Sequence, residues 1–403
     1  MNKIFNWESL IRMINKIKRL FTSFWAIPLV LFIRKLKPLC LVRFGIIDSS
    51  RIGNFTAQTI LHWVEIQEQQ INAVDLFWFS KDVSNMQWDK MASRTLRTHW
   101  SVFYLDYWNK KIPNGHDHIL KSVNRDMHGK VKRIEKTPIE FLPEEELFAK
   151  NWLRKYGWKE NEKFVCLLVR DSTYLKKTFS SQKINFDYHN YRDTSISDYV
   201  QATKWLIDKG VWVLRMGSVM SQPFPIDHPR VIDYSFCNDK NDLMDIWLFA
   251  NCDLCISTGS GLDCLSEFYK KPMLFVNLLP ICNIWSWCES LNLPKHLIWK
   301  STGKPLTLGE HLIHNYSNSE DYENAGILVK DLSSQEILYA TQECWEKMVE
   351  DTWVYTREEK KQQGYFWEEL KKWPSYSKKH DWIHQKCQIS YSWLKNNNYD
   401  FLI

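Results

Sequence analysis

Hydrophobic positions along this chain come in short runs separated by stretches of helical spacing, and the order of the two types predicts the elements. An apolar run of residues 20 to 33 lies between Arg19 and Arg34 and is broken by Pro28. Leu41-Val-Arg-Phe44 then reads as a short strand, and Gly45 to Gly53 as a loop that delivers the chain to a helix beginning near Asn54. Thr56, Ile60, Leu61 and Val64 recur at helical spacing; a strand at Val74 to Phe79, a helix from Met86 to Leu96 and a third strand at Val102-Phe-Tyr-Leu105 follow. Strand, helix, strand at this pitch predicts a parallel α/β sheet.

A crossing segment follows over residues 133 to 163, where Pro143 and three glutamates make a helix N-terminus whose negative charge complements the dipole. A second α/β series begins beyond it. Its strands are Phe164 to Val169, Val211 to Arg215, Val231 to Asp233, Leu254 to Ile256 and Met273 to Val276. They read as continuous apolar runs, as parallel strands covered on both faces do. Helical patterns lie between them at 195 to 209, 240 to 250 and 261 to 269. From 333 onward the chain turns helical and charged, with Trp345, Trp353, Trp367 and Trp373 spaced along it, in position to clasp two lobes together. The expected division is therefore an N-terminal segment 1–38, an α/β domain 39–150, a second α/β domain 151–332 and a helical segment 333–403.

Length agrees with two cores, since 403 residues exceed what one ordinary domain holds. Hydrophobic residues at 44% and charged residues at 25% exclude a disordered or disulfide-scaffold chain. A mean hydropathy of −0.41 excludes a polytopic membrane protein, and the N-terminal apolar run falls short of the ~20 residues needed to span. In the first forty residues Lys3, Arg12, Lys16, Lys18, Arg19, Arg34, Lys35 and Lys37 are opposed only by Glu8. The expectation is an amphipathic helix in the membrane interface, with Phe21, Trp25 and Phe32 at the acyl boundary; the alternative is a helix packed on the protein itself. The long basic lead and the lack of a small-residue cleavage site argue against a signal peptide. Net charge is +6, with no basic stripe in the body of the chain, so no nucleic-acid partner is expected. Ten scattered cysteines read as reduced core thiols, and the single pair Cys252 and Cys255 lacks a second pair to complete a zinc site. The aromatic share of 15% suits sugar stacking, a membrane interface or bulky cores equally.

Candidate chemistry gathers in the second series. Ser257, Thr258, Gly259, Ser260 and Gly261 follow one strand and open a helix, where outward amides and glycines make a phosphate cradle in shape; Glu267 further along is placed to accept a ribose diol. The alternative is a tight turn with Ser and Thr as helix caps. Arg170 and Arg215 each end a strand, and ligands of open α/β sheets bind beyond the carboxyl ends, so both are expected to converge there on phosphate oxygens. Asp187-Tyr-His-Asn-Tyr-Arg-Asp193 is a polar loop from which His189 or Arg192 reaches the ligand, or in which Asp193 and Thr194 simply cap a helix. In the first series Asp48 is the candidate general base, or else an Asx-turn residue. No Asp-x-Asp occurs, which favours arginines over a divalent cation for a diphosphate leaving group.

Residues 41 to about 280 resemble a bacterial family of glycosyltransferases encoded with surface-polysaccharide genes. The resemblance rests on Arg51-Ile-Gly-Asn54, Val169-Arg-Asp-Ser172, Tyr188-His-Asn-Tyr-Arg-Asp193, Arg215-Met-Gly217 and Ser257-Thr-Gly-Ser-Gly261 in the matching order. Where that family usually has His after Arg-Ile-Gly, this chain has Asn54. The glycine loop also resembles the donor-site loop of GT-B enzymes. The resemblance implies a GT-B-like α/β fold of two facing Rossmann-like domains with parallel sheets. It places a nucleotide-sugar on Arg170, Asp171, His189, Arg192, Arg215, Gly217, the 257–261 loop and Glu267. A glycan or glycolipid acceptor falls to Gly53 and Asn54, and catalysis to Asp48 and Arg51. No metal or other cofactor is expected, and the site of action is the cytoplasmic face of the inner membrane. Two competing readings share these features: a nucleotide-sugar 2-epimerase and a non-catalytic, membrane-associated glycan-binding scaffold.

Overall fold

A computed structural model of the chain describes residues 22–69, 71–80, 82–134, 139–171, 173 and 187–402, which divide into two compact units on either side of the Asn124–Arg125 bond. The first unit holds α1 (Ala26–Lys35), β1 (Leu41–Ile47), α2 (Ile52–Glu68), β2 (Ala73–Phe79), α3 (Met86–Thr95) and α4 (Val102–Lys111). β1 and β2 pair in parallel, Leu41 opposite Ala73, and parallel bridges from Phe44 to Ile119 and from Phe77 to Thr98 widen the sheet on both sides.

Two expectations change here. The segment expected as a third strand opens α4 instead. Three successive large residues give Val102 to Leu105 a strand-like look, but Val102, Leu105, Asp106 and Asn109 are the buried positions, and that spacing is helical. Thr98 fills the sheet position. The second change concerns the N-terminal segment, of which residues 1–21, including Phe21, lie outside the described residues. Ala26, Val30 and Ile33 of α1 pack against Phe44, Val102 and Leu105. Arg34 fastens the helix end, donating to Asn109 Oδ1 at 3.0 Å and to the Pro113 carbonyl at 2.6 Å. The helix is thus packed on the protein, while its outer face keeps Phe24, Trp25 and Phe32 exposed at 47%, 44% and 58%. No helix among the described residues is long and apolar enough to cross a membrane.

The second unit is built on a seven-stranded, all-parallel sheet in the order β11-β8-β7-β6-β3-β4-β5. Its strands are β3 (Phe164–Leu168), β4 (Trp212–Arg215), β5 (Val231–Ile232), β6 (Leu254–Ser257), β7 (Met273–Leu278), β8 (Ser290–Pro294) and β11 (Cys387–Ile389), with β9 (His296–Trp299) and β10 (Ile327–Lys330) forming a separate antiparallel pair. Helix α5 (Pro143–Lys155) begins as its charge pattern predicts, the Leu142 N–H donating to Glu145 at 2.8 Å. It is held in this second unit, since the Trp247 indole on α7 (Asp242–Asn251) donates to Glu146 at 2.9 Å. The remaining covering helices are α6 (Val200–Asp208), α8 (Asp263–Phe268), α9 (Leu308–Ile313), α10 (Ser334–Met348), α11 (Arg357–Lys371) and α12 (Tyr391–Asn396).

The segment after 333 folds into this unit and adds an edge strand, where the sequence predicts only helix. A buried network fixes it: Lys347 on α10 donates to Glu343 at 2.6 Å, to Glu359 on α11, and to Gln388 of β11 at 2.9 Å. Both carboxylates and the ammonium are buried, so each needs the others. All ten cysteines are free thiols, and Cys252 and Cys255 are buried in the core.

Candidate functional site

The carboxyl ends of β3, β6 and β8 bring together a compact set of charges. Arg170 follows β3; its backbone N–H donates to Thr258 Oγ1 at 3.0 Å and its Nε to Asp193 at 3.2 Å. Arg192 closes a 3-10 turn, Asp187–Arg192, and its guanidinium donates to the Gly259 carbonyl. The two arginines therefore bracket the Thr258–Gly259 turn. Burial lowers the Arg192 pKa and the neighbouring Arg170 charge lowers it further, a crowding of cations that an anion relieves. Lys295, directly after β8, donates to the Asp193 carbonyl and to Asp331, both at 2.6 Å, and burial lowers its pKa too.

The glycine loop itself behaves differently from the cradle its sequence suggests. Gly259, at φ 75°, permits the left-handed turn a side chain would resist. The Gly259 N–H is used by Ser257 Oγ at 3.1 Å and the Ser260 N–H by Asp263 at 2.7 Å, with the Ser257 hydroxyl donating to the same carboxylate at 2.6 Å. Amides expected to meet an anion thus cap the loop from within, and α8 has only six residues. Anion recognition falls to the side chains of Arg170, Arg192 and Lys295. Gly261 lies between Ser260 and the start of α8.

Other expected site residues spread outward. Arg215 is buried at the end of β4, pairs with Asp233 at 3.2 Å, and keeps a buried Nε without a partner among the described residues. Beside it Gly217, at φ 142°, lies where a Cβ would strike Met220. Asp171 accepts the N–H and the hydroxyl of Ser221, both at 2.7 Å. Burial raises its pKa, but these bonds and those from Thr173 outweigh it and leave the carboxyl below its ordinary value. Ser172 and the His189 side chain lie outside the described residues.

Glu267 stands apart from the cluster. It is only 7% exposed, accepts from the Trp287 indole, and neighbours Arg125 and Asp126; burial pushes its carboxyl up to about 8. It lines a different cavity with Lys132, Lys271 and His384, beside the residues that lead into β7, β8 and β11. The helix carrying it begins at Asp263, later than the sequence suggests, and this turns the glutamate away from the carboxyl ends of the strands.

In the first unit the loop after β1 carries the remaining candidates. Asp48 accepts the N–H and hydroxyl of Ser50 at 3.1 and 2.6 Å and the Asn54 amide at 2.8 Å, an Asx turn that leads into α2. Burial raises its pKa, but those hydrogen bonds and the Arg51 charge prevail and hold it below the ordinary value. Arg51 and Gly53 flank and open α2.

Sequence reasoning missed Lys295, Asp263 and Asp331. Lys295 follows an apolar run, as Arg170 does, and recognising β8 was the only signal available. Among the described residues no three His, Cys, Asp or Glu side chains gather in a metal-binding group.

No family model and no curated protein matches the chain. Solved structures with some likeness to it include a glycosyl transferase family 9 protein from Veillonella parvula, at 8% identity and a TM-score of 0.42, covering 76% of this chain and 97% of that one. The ADP-heptose lipopolysaccharide heptosyltransferase II of Escherichia coli aligns at 10% identity and a TM-score of 0.34, over 59% of this chain and 86% of that one. A second E. coli heptosyltransferase, solved with ADP, gives 8% and 0.29 over 59% and 87%. At these values the likeness assigns neither family nor activity to this chain.

Proposed function

We propose that the chain is a glycosyltransferase of the GT-B type. It moves a sugar from a nucleotide-sugar to a lipid-linked or surface-glycan acceptor, without a metal ion. The observation that carries this reading is the pair of guanidiniums bracketing the Thr258–Gly259 turn, with Lys295 beside them, at the carboxyl ends of a parallel sheet. Departure of a nucleoside diphosphate from the anomeric carbon leaves negative charge on the phosphate oxygens, and arginines already in position stabilise it without reorganising. The acceptor hydroxyl must lose a proton if configuration inverts. Asp48 suits that task because its lowered pKa keeps it ionised at neutral pH, and Asn54, Gly53 and Arg51 adjoin it.

Contact with the cytoplasmic face of the membrane belongs to the same proposal. The outer face of α1 exposes Phe24, Trp25, Leu29 and Phe32, with Lys35 and Lys37 at its end, the combination that suits an anionic lipid surface. Removing the segment would strip Ala26, Val30 and Ile33 from the core, so the test uses Trp25→Ser with Phe32→Ser. Sedimentation with phosphatidylethanolamine–phosphatidylglycerol vesicles should fall sharply in the double variant; equal sedimentation refutes the membrane contact.

Thermal-shift screening with UDP, GDP, CMP and ADP and their sugars tests the donor site. A nucleotide at 100 times its dissociation constant adds about 2.7 kcal/mol of stability. That gain should vanish in Arg192→Gln. Arg215→Ala is the poorer variant, because it leaves Asp233 without its ion-pair partner. If no nucleotide raises the melting temperature, the reading fails, and acceptor-free epimerisation of the responding sugar would replace transferase by epimerase.

A further inference from the structure

The second unit holds a cavity that the proposed reaction does not use. It measures about 650 Å³ out to its open mouth and lies between the β8–β9 junction, where Lys295 forms part of its wall, and the α12 region. Trp393 and Phe401 meet edge to face at 5.0 Å, and the His311 ring lies 5.2 Å from Phe401, so one wall is aromatic. Asn396, Asn398 and Asp400 supply amide and carboxylate groups along the other, all three exposed. Asn398 and Tyr399 both hold left-handed backbone, at φ 52° and 63°, a costly conformation for two successive side-chain-bearing residues and one that concentrates at ligand sites.

The lining is polar yet almost uncharged. Lys295 is neutralised by Asp331 at 2.6 Å, and buried His311 stays neutral, leaving Asp400 as the uncompensated charge. A phosphate would be repelled by it. Two wall residues also keep buried polar atoms without partners among the described residues, His311 Nδ1 and Trp393 Nε1. Hydroxyl groups both donate and accept, and the C–H face of a pyranose packs on aromatic rings, so a neutral sugar matches both kinds of wall.

We propose that this cavity binds a neutral saccharide unit, at a site separate from the arginine pair. The proposal does not depend on the transferase reading. Saturation-transfer NMR on the full chain, with glucose, galactose, rhamnose, N-acetylglucosamine and maltose as probes, should show transfer to at least one. The double variant Asn396→Ala and Asp400→Ala, both at exposed positions, should weaken that sugar at least tenfold while the melting temperature stays unchanged. Trp393→Phe should weaken it as well, since it keeps an aromatic ring and removes the N–H. Arg192→Gln, or an excess of the stabilising nucleotide, should leave the sugar signal intact, which separates a failure here from a failure of the donor site. Silence from every probe, a signal that survives both cavity variants, or displacement by nucleotide would each overturn the proposal.

Discussion

Asp48 in the first unit and Asp263 in the second each organise the turn between a parallel strand and its helix, and burial sends them opposite ways. Asp48 accepts from Ser50 and Asn54 with part of its surface open, and its pKa falls. Asp263 accepts from Ser257 and Ser260 in full burial, and its carboxyl is pushed up to about 6, with Arg192 opposing the rise. The same side chain is thus ionised and within reach in one loop, and locked into the framework in the other. Hydrogen bonding alone does not make a carboxylate reactive; the solvent it keeps decides its role.

The largest expected effect breaks the buried half of this pair. Asp263→Ala leaves the Ser257 hydroxyl and the Ser260 N–H without their acceptor, at roughly 1–3 kcal/mol each, so urea unfolding should report a loss of about 4 kcal/mol. A loss below about 1 kcal/mol would mean that the loop closes without it. Next comes the pH dependence of Asp263. Its raised folded pKa gives a stabilising share that is fully present below 3.8 and lost as pH rises to about 6. At about 1.4 kcal/mol per pKa unit, Asp263→Asn should flatten that part of the stability curve by about 3 kcal/mol. For Asp48 the sign is reversed, its stabilising share being present above 3.8 and lost as pH falls.

Asp48→Asn keeps the shape of its turn and removes the base. Turnover should drop about 100-fold or more, the usual share of general-base catalysis, with unfolding changed by under about 1 kcal/mol. Retained activity would make Asp48 a turn residue alone. The smallest effect comes from Arg51→Gln, which removes a charge that lowers the Asp48 pKa; the acidic limb of the pH–rate profile should move up by about half a unit.

Much of the second sheet is legible in the sequence because its strands are buried on both faces and carry unbroken apolar runs. Phe164–Leu168, Trp212–Arg215 and Leu254–Ser257 stand almost where the pattern puts them. β8 hides because Ser290 and Asn292 interrupt its run, yet both are buried, Asn292 donating to the Gln388 carbonyl on β11 at 3.1 Å. A polar residue satisfied by a partner so far along the chain looks like surface until the partner is known. The same limit applies at the candidate site. Arg170 could be placed from its strand end, whereas the internal capping of the 257–263 loop depends on side-chain directions that no spacing rule supplies.

The pairing of β11 with β8 also sets a schedule for synthesis. Ser290 and Cys387, opposite each other in register, are 97 residues apart. At 5–20 residues per second, a ribosome needs roughly 5–20 s to make that interval. Throughout it β8 is an open sheet edge on a nascent chain, a surface prone to pairing with its neighbours on the same message. Slow expression at low temperature and timely chaperone capture should therefore raise the yield of folded protein more than any change in its finished contacts.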